Sequence, residues 1–189
     1  MARLPTLEQL AERLVSPGTK GIGLRDEVFR SAPPQYADSK LLIDGGGAKR
    51  TGGRWNPRGV AALYCALTPE AALAEALAYA RYMGWPVSRG FPRVIVALRV
   101  KLSNVLDLTD RSIRRRLGVS AERMTTTDWR KEVAGGRIPL THLIGRAAFD
   151  VGLEGLLVAS ASGKAAPNIV IYPVNLLRSS TVKILKGRK

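Results

Sequence analysis

The stretch GGRWNPRGVAALYCALTPEAALAEAL, residues 52–77, carries a glycine-rich turn into an apolar strand and then into a helix. Gly52 and Gly53 allow close approach of the backbone, and Arg54 follows them directly, a guanidinium able to grip phosphate oxygens through two parallel hydrogen bonds. Residues 59–66, GVAALYCA, read as a buried strand with Tyr64 as its one aromatic residue. Thr68, Pro69 and Glu70 then supply an N-cap, a proline suited to the first helical position and an acid at the positive helix end. A helix is expected from Pro69 to about Met83, stopped by Gly84.

In that helix Leu73, Leu77 and Ala80 form an apolar stripe, and Glu75 lies away from Leu73 on a stripe shared with Tyr79. The alanines around Glu75 leave room for a ligand or a second backbone. Each residue also has an ordinary reading: Arg54 as a surface arginine, Tyr64 as a core-filling ring, Glu75 as a solvated carboxylate. The glycines do not build a nucleotide loop, because DGGGAKRTGG, residues 44–53, has neither Walker A spacing nor GxGxxG.

Outward from this stretch, Thr6 and Gln9 have capping-box spacing, which predicts a helix over 7–15 ended by Ser16-Pro17-Gly18. DEVFR, residues 26–30, reads as a short strand ending at Arg30, and residues 31–53 as a long loop. Residues 93–101 alternate as a strand, with Val94, Val96, Leu98 and Val100 on one face, and 104–108 extend the sheet. Helical pieces at 110–117, 128–134 and 139–151 precede strand-like runs at 154–159, 168–174 and 180–185. The order implies an α+β domain.

At 189 residues, one domain over 1–189 is expected, with an N-terminal helix and a basic C-terminal strand and tail. No apolar run approaches the ~20 residues of a membrane span. MARLPTLEQLAERLV lacks the apolar core and small-residue cleavage site of a secretory signal, so the expected location is cytoplasmic. Cys65 and His142 are the only residues of their types, which removes disulfide frameworks, cysteine metal sites and most Ser-His or Cys-His chemistry. A metal-free protein is expected. Cys65 reads as a small buried hydrophobe and His142 as a satisfied helix residue.

The formal charge of +15 calls for a partner of opposite sign: nucleic acid, a phosphorylated small molecule or an acidic protein. Arg114-Arg115-Arg116 and the KILKGRK tail read as solvated basic faces. In VASASGKAAPN, residues 158–168, Ser160 follows an apolar strand, as a ligand-contacting hydroxyl often does, but the residues alone favour an ordinary loop serine.

Taken together, FR at 29–30, GGRWNPRG at 52–59, LYCALTPEAALAE at 63–75, EGLLVASASG at 154–163 and NIVIY at 168–172 resemble the RES domain, over about residues 20–175. Relatives commonly show Pro-Ser where this chain has Ala159-Ser160, and some have histidine at the position of Tyr79. The resemblance implies an ADP-ribosyltransferase-like fold, with strands forming a central split sheet around an NAD cleft and short flanking helices. It also implies NAD as substrate, a toxin of a toxin–antitoxin pair and an Xre-like antitoxin partner. Its site residues would be Arg54, Tyr64 and Glu75, supported by Arg30, Ser160 and Asn168. Chemistry is consistent with that set. Breaking the nicotinamide–ribose bond builds oxocarbenium-like charge, which a fixed carboxylate stabilises more than the ground state, while arginines hold the diphosphate and a tyrosine stacks on the nicotinamide. Two other readings stand beside it: a basic nucleic-acid-binding module, and a metal-free ribonuclease with one histidine for proton transfer.

Overall fold

The computed structural model describes residues 4–36, 39–160 and 166–185 of the chain. Helix α1 spans Leu7–Val15 as the capping pattern requires: Gln9 N donates to Thr6 Oγ1 at 3.2 Å, and Thr6 N to Gln9 Oε1 at 3.1 Å. Strand β1 covers Ile22–Ala32 and outruns the predicted DEVFR at both ends. Residues 31–53 are not a bare loop, since they hold a 3-10 turn at Pro34–Tyr36 and helices α2 (Ser39–Ile43) and α3 (Gly46–Thr51). Buried Leu42 anchors this segment, and Asp44 Oδ1 accepts from Gly46 N at 2.7 Å to start α3.

Strand β2 is shorter than expected, Leu63–Ala66, with Val60, Ala61 and Ala62 buried on the approach to it. Helix α4 is Pro69–Tyr82, and Thr68 Oγ1 accepts from Ala71 N at 3.1 Å. The two runs at 93–101 and 104–108 fuse into one strand, β3, Val94–Asp107. Helices α5 (Arg111–Leu117), α6 (Ala121–Thr126), α7 (Trp129–Ala134) and α8 (Leu140–Asp150) follow. Of these, α6 had no sequence counterpart; it is capped by Ser120 and anchored by buried Met124. Strands β4 (Gly155–Val158), β5 (Asn168–Ile171) and β6 (Thr181–Ile184) close the fold.

The expected split sheet is instead a closed ring. Strand order runs β1-β2-β5-β4-β3, and β1 pairs back onto β3. The length of β3 closes it: one edge pairs antiparallel with β1 from Ile22↔Val105 to Ala32↔Val94, and the other takes β6 at 98–101 and parallel β4 at 105–107. The β1–β2 seam rests on Phe29↔Ala66 alone.

Strands β2, β4 and β5 are buried on nearly all of their length, which is why their sequences run almost continuously apolar, whereas β1 and β3 carry exposed polar positions. On β5, Ile169 and Ile171 meet Val28, Leu63 and Leu98 in one cluster, while Val170 turns to the cluster with Leu10, Leu117 and Ile144 of the helices. Each such side chain contributes roughly 1.5–3 kcal/mol by leaving water. The basic run on α5 is partly structural. Ile113 and Leu117 are buried, and Arg114 Nη1 donates to the carbonyls of Leu108 and Thr109. Residues 161–165, which include Ser162, and tail residues 186–189 lie outside the described residues.

Candidate functional site

Loop 52–58 is held in place by hydrogen bonds of Asn56 and Tyr64. Asn56, fully buried, donates through Nδ2 to the carbonyls of Ala48 at 3.0 Å and Val60 at 2.9 Å. Tyr64 Oη donates to Asn56 Oδ1 at 2.7 Å and accepts from Trp55 N at 2.8 Å. A Cβ at Gly53 would strike Tyr64 Oη and Asn56 Oδ1, so the glycine before Arg54 serves this packing. Behind the loop, α8 crosses the Trp55 carbonyl at Gly145 with no room for a side chain, and Tyr172 Oη donates to both carbonyls, of Trp55 and Gly145.

This framework borders a cleft of about 1430 Å³ between loop 52–58, β2, α4, α7 and α8. Five of the six residues expected at the site line it: Arg30, Arg54, Tyr64, Glu75 and Asn168. The sixth, Ser160, is buried and joins them through Glu75: Ser160 Oγ donates to Glu75 Oε1 at 2.6 Å, and Asn168 Nδ2 to the same oxygen at 2.9 Å. Strand ends β4 and β5 therefore orient a carboxylate that α4 supplies. Among the described residues Oε2 accepts no hydrogen bond, so one oxygen is fixed and the other is available to a ligand.

The arginines are more committed than their sequence positions indicate. Arg54 Nη1 donates to the carbonyls of Met124 at 3.0 Å and Thr127 at 3.1 Å, satisfying the C-terminal end of α6. Burial, then the charge of Arg130, lowers its basicity. Arg30 lies within β1, two residues before its end, and donates through Nη1 to the Tyr64 carbonyl at 3.1 Å; its Nε is buried with no partner among the described residues. Burial lowers its basicity too. Burial also raises the Tyr64 phenol well above its usual range, so this ring contributes a neutral face and a fixed hydroxyl.

Several lining residues escaped the sequence reading. His142, expected as a satisfied helix residue, is buried in α8 with Nε2 bonded to the Gly53 carbonyl at 2.8 Å, and burial lowers its basicity; its place beside the cleft is what the sequence did not indicate. Tyr82 extends the Glu75–Tyr79 stripe by another turn, which helical spacing alone makes legible. Trp129 and Arg130 come from a distant helix with no local signal. The described lining thus gathers six arginines, one histidine and a single carboxylate, Glu75. Such a cleft attracts an anion and offers one negative charge at a fixed point.

Among the described residues no group of three His, Cys, Asp or Glu side chains is placed to hold a metal ion, and no helix is long and apolar enough to cross a membrane. The RES domain model matches residues 27–185, and the chain belongs to that family. None of the curated proteins matches it. Among solved structures, the fold is similar to that of a chain in the crystal structure of the M. tuberculosis MbcT–MbcA toxin–antitoxin complex, at 21% identity and TM-score 0.74, covering 95% of this chain and 90% of that one.

Proposed function

We propose that this RES-domain chain is a toxin-like enzyme that consumes NAD, breaking the bond between nicotinamide and ribose. The observation that carries the reading is Glu75: the one carboxylate among the described lining residues, fixed through Oε1 by Ser160 and Asn168 in a cleft to which six arginines also contribute. The arginine side chains attract the diphosphate, and Tyr64 offers its ring face to the nicotinamide with its hydroxyl already committed. Glu75 stabilises the positive charge that grows on the ribose as the C1′–N bond lengthens. Nicotinamide departs with the bonding electron pair. An acceptor, whether water, phosphate or a protein nucleophile, then bonds C1′ and gives up its proton.

The pairing named for the similar M. tuberculosis structure supports an antitoxin partner. An Xre-like antitoxin with an acidic surface suits the net charge of +15. The nucleic-acid reading loses ground because part of the arginine run caps backbone carbonyls.

Incubation of the purified protein with NAD, followed by mass spectrometry, tests the reading and identifies the acceptor. Nicotinamide should appear together with ADP-ribose, its phosphorylated form or a modified protein. Glu75→Gln keeps the shape and removes the charge, so turnover should fall by about 10²–10³-fold. Wild-type turnover in that variant excludes the role given to Glu75, and intact NAD after incubation with the parent protein excludes the activity.

A further inference from the structure

Arg130 sits in a box of three aromatic rings. Its Cζ lies 4.4 Å from the Trp129 ring centroid, 4.8 Å from that of Tyr82 and 5.1 Å from that of Tyr79. The box is itself braced, because Tyr82 Oη donates to the Asp128 carboxylate and Trp129 packs against His142 at 5.5 Å between ring centroids. Stacking uses the faces of a guanidinium and leaves its N–H edges free. Among the described residues the Arg130 guanidinium makes no hydrogen bond or ion pair, the two ion pairs there being Lys131–Asp128 and Arg146–Asp150.

Arg130 lines the same cleft as Arg54. The two charges are close enough that Arg130 is the second-largest influence on the basicity of Arg54, after burial. Holding two guanidinium groups near one another in a partly desolvated cleft costs free energy that a bound dianion would recover. Arg30 and Arg54 each donate through Nη1 to backbone carbonyls, of Tyr64 for the first and of Met124 and Thr127 for the second, whereas the Arg130 guanidinium has no such commitment among the described residues.

We propose that Arg130, held by Tyr79, Tyr82 and Trp129, pairs with Arg54 to bind the diphosphate of the dinucleotide. This rests on the NAD reading above and adds to it a binding residue that neither the sequence motifs nor the family resemblance supplies. Arg130 is a binding residue whose contribution depends on its aromatic box.

Direct titration of the purified protein with ADP-ribose tests the assignment without relying on turnover. Arg130→Ala should weaken binding by about tenfold or more, the loss expected for a charge-assisted phosphate contact. Arg130→Lys keeps a charge but not the planar fork, and should fall between the two. Should the alanine protein fail to fold, Arg130→Met keeps a long side chain against the rings and should show the same tenfold loss. Arg89→Ala is the control for bulk charge, because Arg89 stacks 4.8 Å over Trp85 outside the lining of the cleft; its affinity should stay within about twofold of the parent. Parent-like binding by a folded Arg130→Ala or Arg130→Met protein overturns the inference, as does an equal loss in Arg89→Ala. If those results appear while the parent still consumes NAD and Glu75→Gln does not, only the inference falls. A parent protein that neither binds ADP-ribose nor consumes NAD removes both.

Discussion

Two glutamates in this molecule are held by donors from separate chain segments, and they are held differently. Glu154, just before β4, is fully buried; its Oε2 accepts from Ser103 N at 2.6 Å and Asn104 N at 2.8 Å, and its Oε1 from Leu177 N at 3.0 Å. All three donors are backbone amides, both oxygens are used, and the carboxylate pins the segment before β6 to β3. Glu75 is only partly buried, takes two side-chain donors on one oxygen and turns toward a cleft. A saturated, sealed carboxylate has nothing left to offer a ligand, whereas a half-satisfied one is oriented and still able to bind. The contrast separates a structural acid from a candidate functional one on geometry alone.

Exchanging charge for amide at the two positions is the strongest way to break this contrast. Glu75→Gln should cost turnover by orders of magnitude while shifting the melting temperature little. Glu154→Gln turns an amide group toward backbone donors, and should cost about 2–3 kcal/mol, or about 5–10 °C in melting temperature, with NAD turnover per folded molecule unchanged. Thermal melts and NAD depletion on both variants decide the matter, and the contrast fails if the two profiles coincide. At the Glu75 site, Ser160→Ala should lower turnover by about tenfold, because the acid then keeps only Asn168.

The acidity of Glu154 sharpens the same contrast. Burial pulls this carboxyl up, but the Ser180 hydroxyl and the amides of Leu177, Ser103 and Asn104 together bring it below its ordinary value of 4.5. A group whose folded value is depressed contributes stability that is fully present above the unfolded value and lost as pH falls through the folded one. The stability gap between the parent and Glu154→Gln should therefore be constant near neutrality and narrow below about pH 4.5. Urea unfolding at several pH values measures it, and a gap that widens on acidification contradicts the assignment.

What the sequence made legible was local. The Thr6 cap, the Thr68-Pro69-Glu70 helix start and the alternation in 93–101 each depend on neighbours within a few residues, and each element formed where it was expected. Closure of the ring was not legible, because it depends on β1 running from Ile22 to Ala32 beside β3: DEVFR reads as a strand, but exposed Ile22, Gly23 and Arg25 before it and Ser31-Ala32 after it carry no apolar pattern that extends it. The cleft divides the same way. Tyr82 follows from helical spacing, but Arg130 reaches the site only through packing of α7 against α4, which no local rule encodes. Glu154 was not legible for a related reason: its donors lie 23, 50 and 51 residues away, so its burial leaves no trace nearby.

The smallest expected effect distinguishes the two carboxylates by the kind of donor they use. Ser180 is a side-chain neighbour of Glu154, also 3.3 Å from Ser103 through their hydroxyls. Ser180→Ala removes one hydroxyl but leaves three backbone amides in place, and amides cannot be mutated away. The loss should be below about 1 kcal/mol, read as a shift of a few degrees in melting temperature with NAD turnover intact. At Glu75 the equivalent deletion, Ser160→Ala, removes one of only two donors, so its cost should appear in turnover instead. A redundant backbone cradle holds its charge whatever the side chains around it do, whereas a cradle of two side chains loses half its donors to a single deletion, and the orientation of Glu75 is lost with them.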